Sequence, residues 1–155
     1  MLLPDIIDKI INDFDRQMRL YMEMEKLSGC QLDFLQQAGC RGKMDELNEL
    51  LSKRQNLIGE INQLNHSNKA LQQEAQQFLG IKQFSLSQLK DKLESDQYLR
   101  LSQILQEIEQ ILVRIGQADK KSEQLMKDKF AASRNGARAN HNQASKAYNQ
   151  AKKKQ

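Results

Sequence analysis

Three observations on this 155-residue sequence predict an all-α fold. The residues that favour strands are nearly absent: there is no Thr, no Trp and a single Val, Val113. Against them stand 21 Leu, 11 Ile and 21 Gln, so unbranched helix formers dominate and Ile is the one abundant β-branched type. Lastly, apolar residues recur every three or four positions along most of the chain, which marks amphipathic helices and excludes a disordered polar chain. The expected architecture is an elongated antiparallel bundle of three long helices in residues 1–135, followed by a mobile basic tail at 136–155.

The first helix is expected at about 4–38. Pro4 falls in its first turn, where a missing N–H costs nothing. Ile7, Ile11, Phe14, Met18 and Tyr21 form its inward stripe, and Leu32 and Leu35 resume that stripe beyond Glu25 and Ser28. Gly39-Cys40-Arg41-Gly42 reads as a tight turn to the second helix.

The second helix, about 43–79, carries the clearest pattern. Leu50, Leu57, Leu64, Leu71 and Phe78 stand seven apart, each preceded three residues earlier by Leu47, Arg54, Ile61, Asn68 or Ala75. These are d and a positions of five heptads, widened at e by Leu51, Ile58 and Leu79. That width suits a helix touching two neighbours better than a two-stranded zipper. Gly80 ends it. Two matched helices joined by a short turn predict a hairpin folded about residue 41.

A third helix is expected from 86 to 133, opened by a capping box of Ser85 and Gln88. Leu89, Leu93, Leu101, Ile104, Ile108, Ile111 and Ile115 give its stripe. Beyond Ile115 only Ala118, Leu125, Met126 and Phe130 remain. A helix this long outruns its partners, so its last four or five turns are expected to overhang the bundle and to be open to a partner. Past Asn135-Gly136 the chain turns to Ala, Asn, Gln and Lys, with Tyr148 its one large apolar residue.

The formal net charge of +4 has a local origin. No acid follows Asp128, while Arg134, Arg138, Lys146, Lys152, Lys153 and Lys154 do, leaving 18 basic residues against 20 acids in 1–133. The body is therefore −2 and the tail +6. A nucleic-acid binder carries its basic stripe on a folded face, so nucleic acid is disfavoured, and a solubilising tail is the plainer alternative. No apolar run reaches the 18 residues of a membrane span. The first residues lack the basic start and apolar stretch of a signal peptide, so a cytosolic location is expected. Cys30 and Cys40 read as plain thiols there.

Enzymatic chemistry, a metal or a cofactor is not expected. The two histidines, His66 and His141, lie in different segments without ligands at metal-binding spacing, and the glycines at 39 and 42 do not form a phosphate loop. Two polar residues fall on inward stripes. Glu25 either pairs with Arg54 across the hairpin, or the first helix rotates so that Met24 and Leu27 face inward and Glu25 reaches solvent. Asn68 either specifies pairing at its a position, or marks a wetter, looser stretch beside Asn62, Asn65 and His66.

The segments Leu20-Tyr21-Met22-Glu23-Met24-Glu25-Lys26-Leu27 and Asp45-Glu46-Leu47-Asn48-Glu49-Leu50-Leu51-Ser52-Lys53-Arg54-Gln55, with the long third helix and late tyrosine, resemble the FlgN family of flagellar type III export chaperones. More distantly they resemble the FliT group. The resemblance implies a non-enzymatic chaperone that holds the amphipathic C-terminal helix of secreted hook–filament junction proteins and delivers them to the export gate. It implies cargo contacts on the later third helix, at Ile115, Ala118, Leu125, Met126 and Phe130, and a gate contact at Tyr148. The alternatives are a homo-oligomeric coiled-coil scaffold built on the second helix, and attachment to nucleic acid or anionic membrane through the tail.

Overall fold

A computed structural model describes residues 2–37 and 44–136, with side chains through 128 apart from Met44. The predicted turn at 39–42, Cys40 and the tail from 137, Tyr148 included, lie outside the described residues, as does the Phe130 side chain. The described residues form four helices and no strand: α1 (Leu3–Gln36), α2 (Met44–Leu79), α3 (Leu86–Leu89) and α4 (Ser95–Gly136). The all-α class is thus observed.

Pro4 sits in the first turn of α1. At the end of α2, Gly80 takes φ +66, the left-handed region that a Cβ disfavours. The following amide, Ile81 N–H, donates back to the Gln76 carbonyl at 3.2 Å and closes the helix.

α1 is the shared neighbour. It packs against both α2 and α4, while no Cα of α2 comes within 8 Å of one in α4. Along α1 and α2 the pairing is in opposite senses, with Gln17 of α1 donating to Asn65 of α2. That pair is centred on residue 41, the fold point read from the sequence. α4 runs in the same sense as α1 at an offset of 89: Gln97 reaches Asp8, and Arg114 reaches Glu25.

The expected continuous third helix is broken after Leu89 and restarts at Ser95. Burial supplies the reason. In one unbroken helix Leu89 and Leu101 would stand about 18 Å apart along the axis, yet both are fully buried in one cluster with Ile6, Ile7, Ile10, Ile11 and Ala75. The break lets Ile81, Phe84, Leu86 and Leu93 fold across the end of the bundle and cover the α1 isoleucines. Enclosing Leu89 alone is worth about 1.5–3 kcal/mol, more than the few helical bonds lost at 90–94. Asp96 then lies in the first turn of α4, where a carboxylate favours the helix dipole.

The predicted capping box forms differently. Ser85 is the N-cap residue of α3 but makes no side-chain cap bond. Gln88 Oε1 instead accepts from the amides of Lys82 and Gln83, both at 3.1 Å, and so ties the connector to α3.

The apolar core comes in three clusters. The first is the sealed end just described; the second holds Met24, Leu57, Ile61, Ile111 and Ile115; the third holds Phe34, Leu35 and Leu47, with Leu125 and Met126 against them. Polar layers separate them.

Candidate partner-binding surface

The distal part of α4 is the segment on which the family resemblance implies cargo contacts. The offset of 89 puts Gln36, the last residue of α1, level with residue 125 of α4. The overhang therefore starts near Leu125, later than the expected start past Ile115. Ile115 is a buried member of the second cluster, Ala118 is half-buried, and Leu125 and Met126 are half-buried against Phe34, Leu35 and Leu47. Four of the five residues for which the resemblance implies cargo contact thus already have partners or partial cover within the bundle. The overhang proper is about 11 residues, or roughly 16 Å.

Just before this segment lies a polar node joining three helices. Arg54 Nη1 of α2 donates to Gln31 Oε1 of α1 at 2.8 Å and to Asp119 Oδ1 of α4 at 2.9 Å, while Nη2 donates to Asp119 Oδ2 at 2.8 Å. The side chain of Arg54 is 17% exposed and that of Asp119 37%. The paired bonds match the planar guanidinium to the carboxylate, which fixes geometry as well as attraction. Ser28 precedes this node on α1 and Ser122 follows it on α4. Both hydroxyls are buried with no hydrogen-bond partner.

The anticipated Glu25–Arg54 contact does not form. Position 25 lies opposite Leu57, one turn from Arg54, and Arg54 extends across to α4 instead. Glu25 turns the other way, where Arg114 donates to it through Nε at 2.8 Å and Nη2 at 3.1 Å. Those bonds hold the Glu25 carboxyl below its usual range, and in return raise Arg114. Met24 is buried and Leu27 packs beside it, so the rotated arrangement of α1 is the one adopted, with Arg114 covering the displaced acid.

A second polar layer separates the first and second clusters. Asn68 is 1% exposed. Its Nδ2 donates to the Ile10 carbonyl at 3.2 Å, and its Oδ1 accepts from Gln72. It is therefore a satisfied cross-helix contact, not a loose wet site. Gln17, 2% exposed, is buried in the same layer, and nothing in the sequence marks it because glutamine is so common along the chain. Burial raises the Tyr21 phenol above its ordinary value.

Exposed apolar side chains complete the surface. Leu112 and Val113 of α4 are 44% and 55% exposed, and Leu51 and Phe78 of α2 are 44% and 60%. A cleft of 360 Å³ opens between the last turns of α1 and the first of α2, with Phe34 and Leu50 in its wall and Cys30, a free thiol, at its edge. Its acids, Asp33, Glu46 and Glu49, do not converge: no group of three or more potential ligands capable of holding a metal occurs among the described residues. Among those residues, no helix is long and apolar enough to cross a membrane.

Comparison with protein-family models, curated proteins and solved structures returns no match to this chain.

Proposed function

We propose that this chain is a cytoplasmic export chaperone of the FlgN type. In this reading it is an elongated bundle in which α2 runs antiparallel to α1 and α4 runs parallel to it, with residues 137–155 as a basic extension. It binds the amphipathic C-terminal helix of a secreted flagellar junction protein and carries it to the export gate, without enzymatic chemistry. The observation that carries the reading is the distal part of α4, where Leu125 and Met126 leave one side half-covered as the helix runs past the end of α1. An incoming amphipathic helix can complete such a bundle by laying its apolar face along that stripe. The family resemblance of residues 20–27 and 45–55 supplies the identity of the partner. Tyr148 is the proposed gate contact.

Co-expression with candidate junction proteins tests the proposal. The chain is expected to co-purify with at least one of them. Substituting Leu125, Met126 and Phe130 by Ser is expected to abolish capture while the circular dichroism spectrum of the bundle is retained. Capture unchanged in the folded variant overturns the placement of the cargo surface; no capture by the parent chain overturns the chaperone reading. Exposed Phe78 and Leu51 on heptad positions of α2 support one second reading, a self-associating scaffold. A concentration-independent dimer or tetramer in light scattering favours it.

A further inference from the structure

We propose that the distal part of α4 is a latch, hinged at Gly116 and fastened by Arg54 and Asp119, that undocks from the hairpin while the rest of the bundle stays folded. Three features coincide along this stretch. Gly116 lies inside a 42-residue helix, is exposed, and has nothing within 4 Å of where its Cβ would be. Packing does not require a glycine there, and glycine lowers the local cost of leaving the helical conformation. Three residues on, Asp119 is held by the partly buried Arg54. Three residues further, the buried Ser122 hydroxyl has no partner, so part of the docked state's desolvation goes uncompensated.

The apolar packing beyond the node is set apart: among the described residues its buried members are Phe34, Leu35 and Leu47, and the polar layer of Gln31, Arg54 and Asp119 separates them from the second cluster. Cooperativity depends on continuous packing, so a cluster set apart by a polar layer opens as its own unit. Because the backbones of α2 and α4 stay more than 8 Å apart, the long Arg54 side chain spans the gap that packed backbones would otherwise close.

Opening exposes Leu125 and Met126 together with Phe34, Leu35 and Leu47, the same apolar set that closure hides. That this set then receives a cargo helix rests on the chaperone reading; the latch itself does not, and its test needs no partner.

The test places a reporter thiol at Ser122→Cys in a chain whose Cys30 and Cys40 are replaced by Ser, and measures its reaction with a soluble disulfide reagent without denaturant. A second reporter, Ala75→Cys in the first cluster, reports unfolding of the whole bundle. The Ser122 reporter is expected to react at least about tenfold faster than the Ala75 reporter, with little dependence on low urea. Asp119→Asn is expected to raise the Ser122 rate on the order of tenfold. Glu25→Gln is expected to leave that rate unchanged, because the Glu25–Arg114 pair persists when only the latch opens. Equal rates at the two reporters, no response to Asp119→Asn, or an equal response to Glu25→Gln would each overturn the proposal. If either reporter chain fails to fold, hydrogen exchange on the parent chain decides: amides at 117–128 are expected to exchange well before those at 101–115, and equal protection contradicts the latch.

Discussion

Removing either side of the Arg54–Asp119 pair should cost more than removing any other ion pair described here, and the size follows from its surroundings. Arg54 is 17% exposed and makes three hydrogen bonds, two of them to Asp119. Charge-assisted bonds are worth about 1.5–3 kcal/mol when well buried, and open surface pairs about 0–1 kcal/mol. Asp119, at 37% exposed, lies between these limits. A coupling energy of about 1.5 kcal/mol is therefore expected from a double-mutant cycle of Arg54→Met and Asp119→Ala, read by urea unfolding monitored at 222 nm. Two further cycles calibrate it. Glu25 with Arg114, 32% and 51% exposed, should couple more weakly than Arg54 with Asp119. Glu25 with Arg54 should be additive within about 0.5 kcal/mol, because they do not touch. An Arg54–Asp119 coupling below about 0.5 kcal/mol, or a Glu25–Arg54 coupling above it, refutes the reasoning.

Other perturbations have equally definite outcomes. Gly59→Ala, at an exposed helical site with open space at the Cβ position, should stabilise by about 0.5–1 kcal/mol in the same unfolding assay. Leu89→Ala should destabilise by about 2–5 kcal/mol because Leu89 is fully enclosed where the helix break folds it onto α1, whereas Leu99→Ala, at an exposed site, should stay within about 0.5 kcal/mol. The Glu25 carboxyl is held low in the folded chain, chiefly by its hydrogen bonds to Arg114, so its contribution is complete above the ordinary Glu pKa of about 4.3 and is lost as pH falls through the lowered folded value. An NMR titration should show Glu25 protonating below the ordinary value, and Arg114→Gln should return it toward that value.

The heptads of α2 made the hairpin legible, since four- and three-residue spacing determines which side chains share a face. Pro4 and Gly80 likewise marked helix ends through backbone chemistry that needs no tertiary context. Leu89 and Leu93 misled, because they continue the stripe of Leu101 at helical spacing. Periodicity reports a face; it does not report that the end of a bundle must be sealed. Arg54 misled differently. Its place on the inward stripe was readable, but its partner depended on a long side chain crossing to another helix. A usable signal exists, for Asp119 is the one acid among five residues spaced seven apart, Tyr98, Leu105, Leu112, Asp119 and Met126. An acid in an apolar column and an arginine at an a position form a natural pair. The Glu25–Arg114 contact had no such signal: Glu25 falls on the inward stripe of its helix, but Arg114 lies off the stripe of Ile108, Ile111 and Ile115, where many charges occur.

Whether this chain carries amphipathic helices, as proposed, is decided by titrating the full chain with the isolated C-terminal segment of a candidate junction protein in a calorimeter. Saturable binding of one segment per chain is expected, with a negative heat-capacity change from apolar burial. Absence of heat with every junction-protein segment, together with a persistent oligomer of the chain alone, would contradict it.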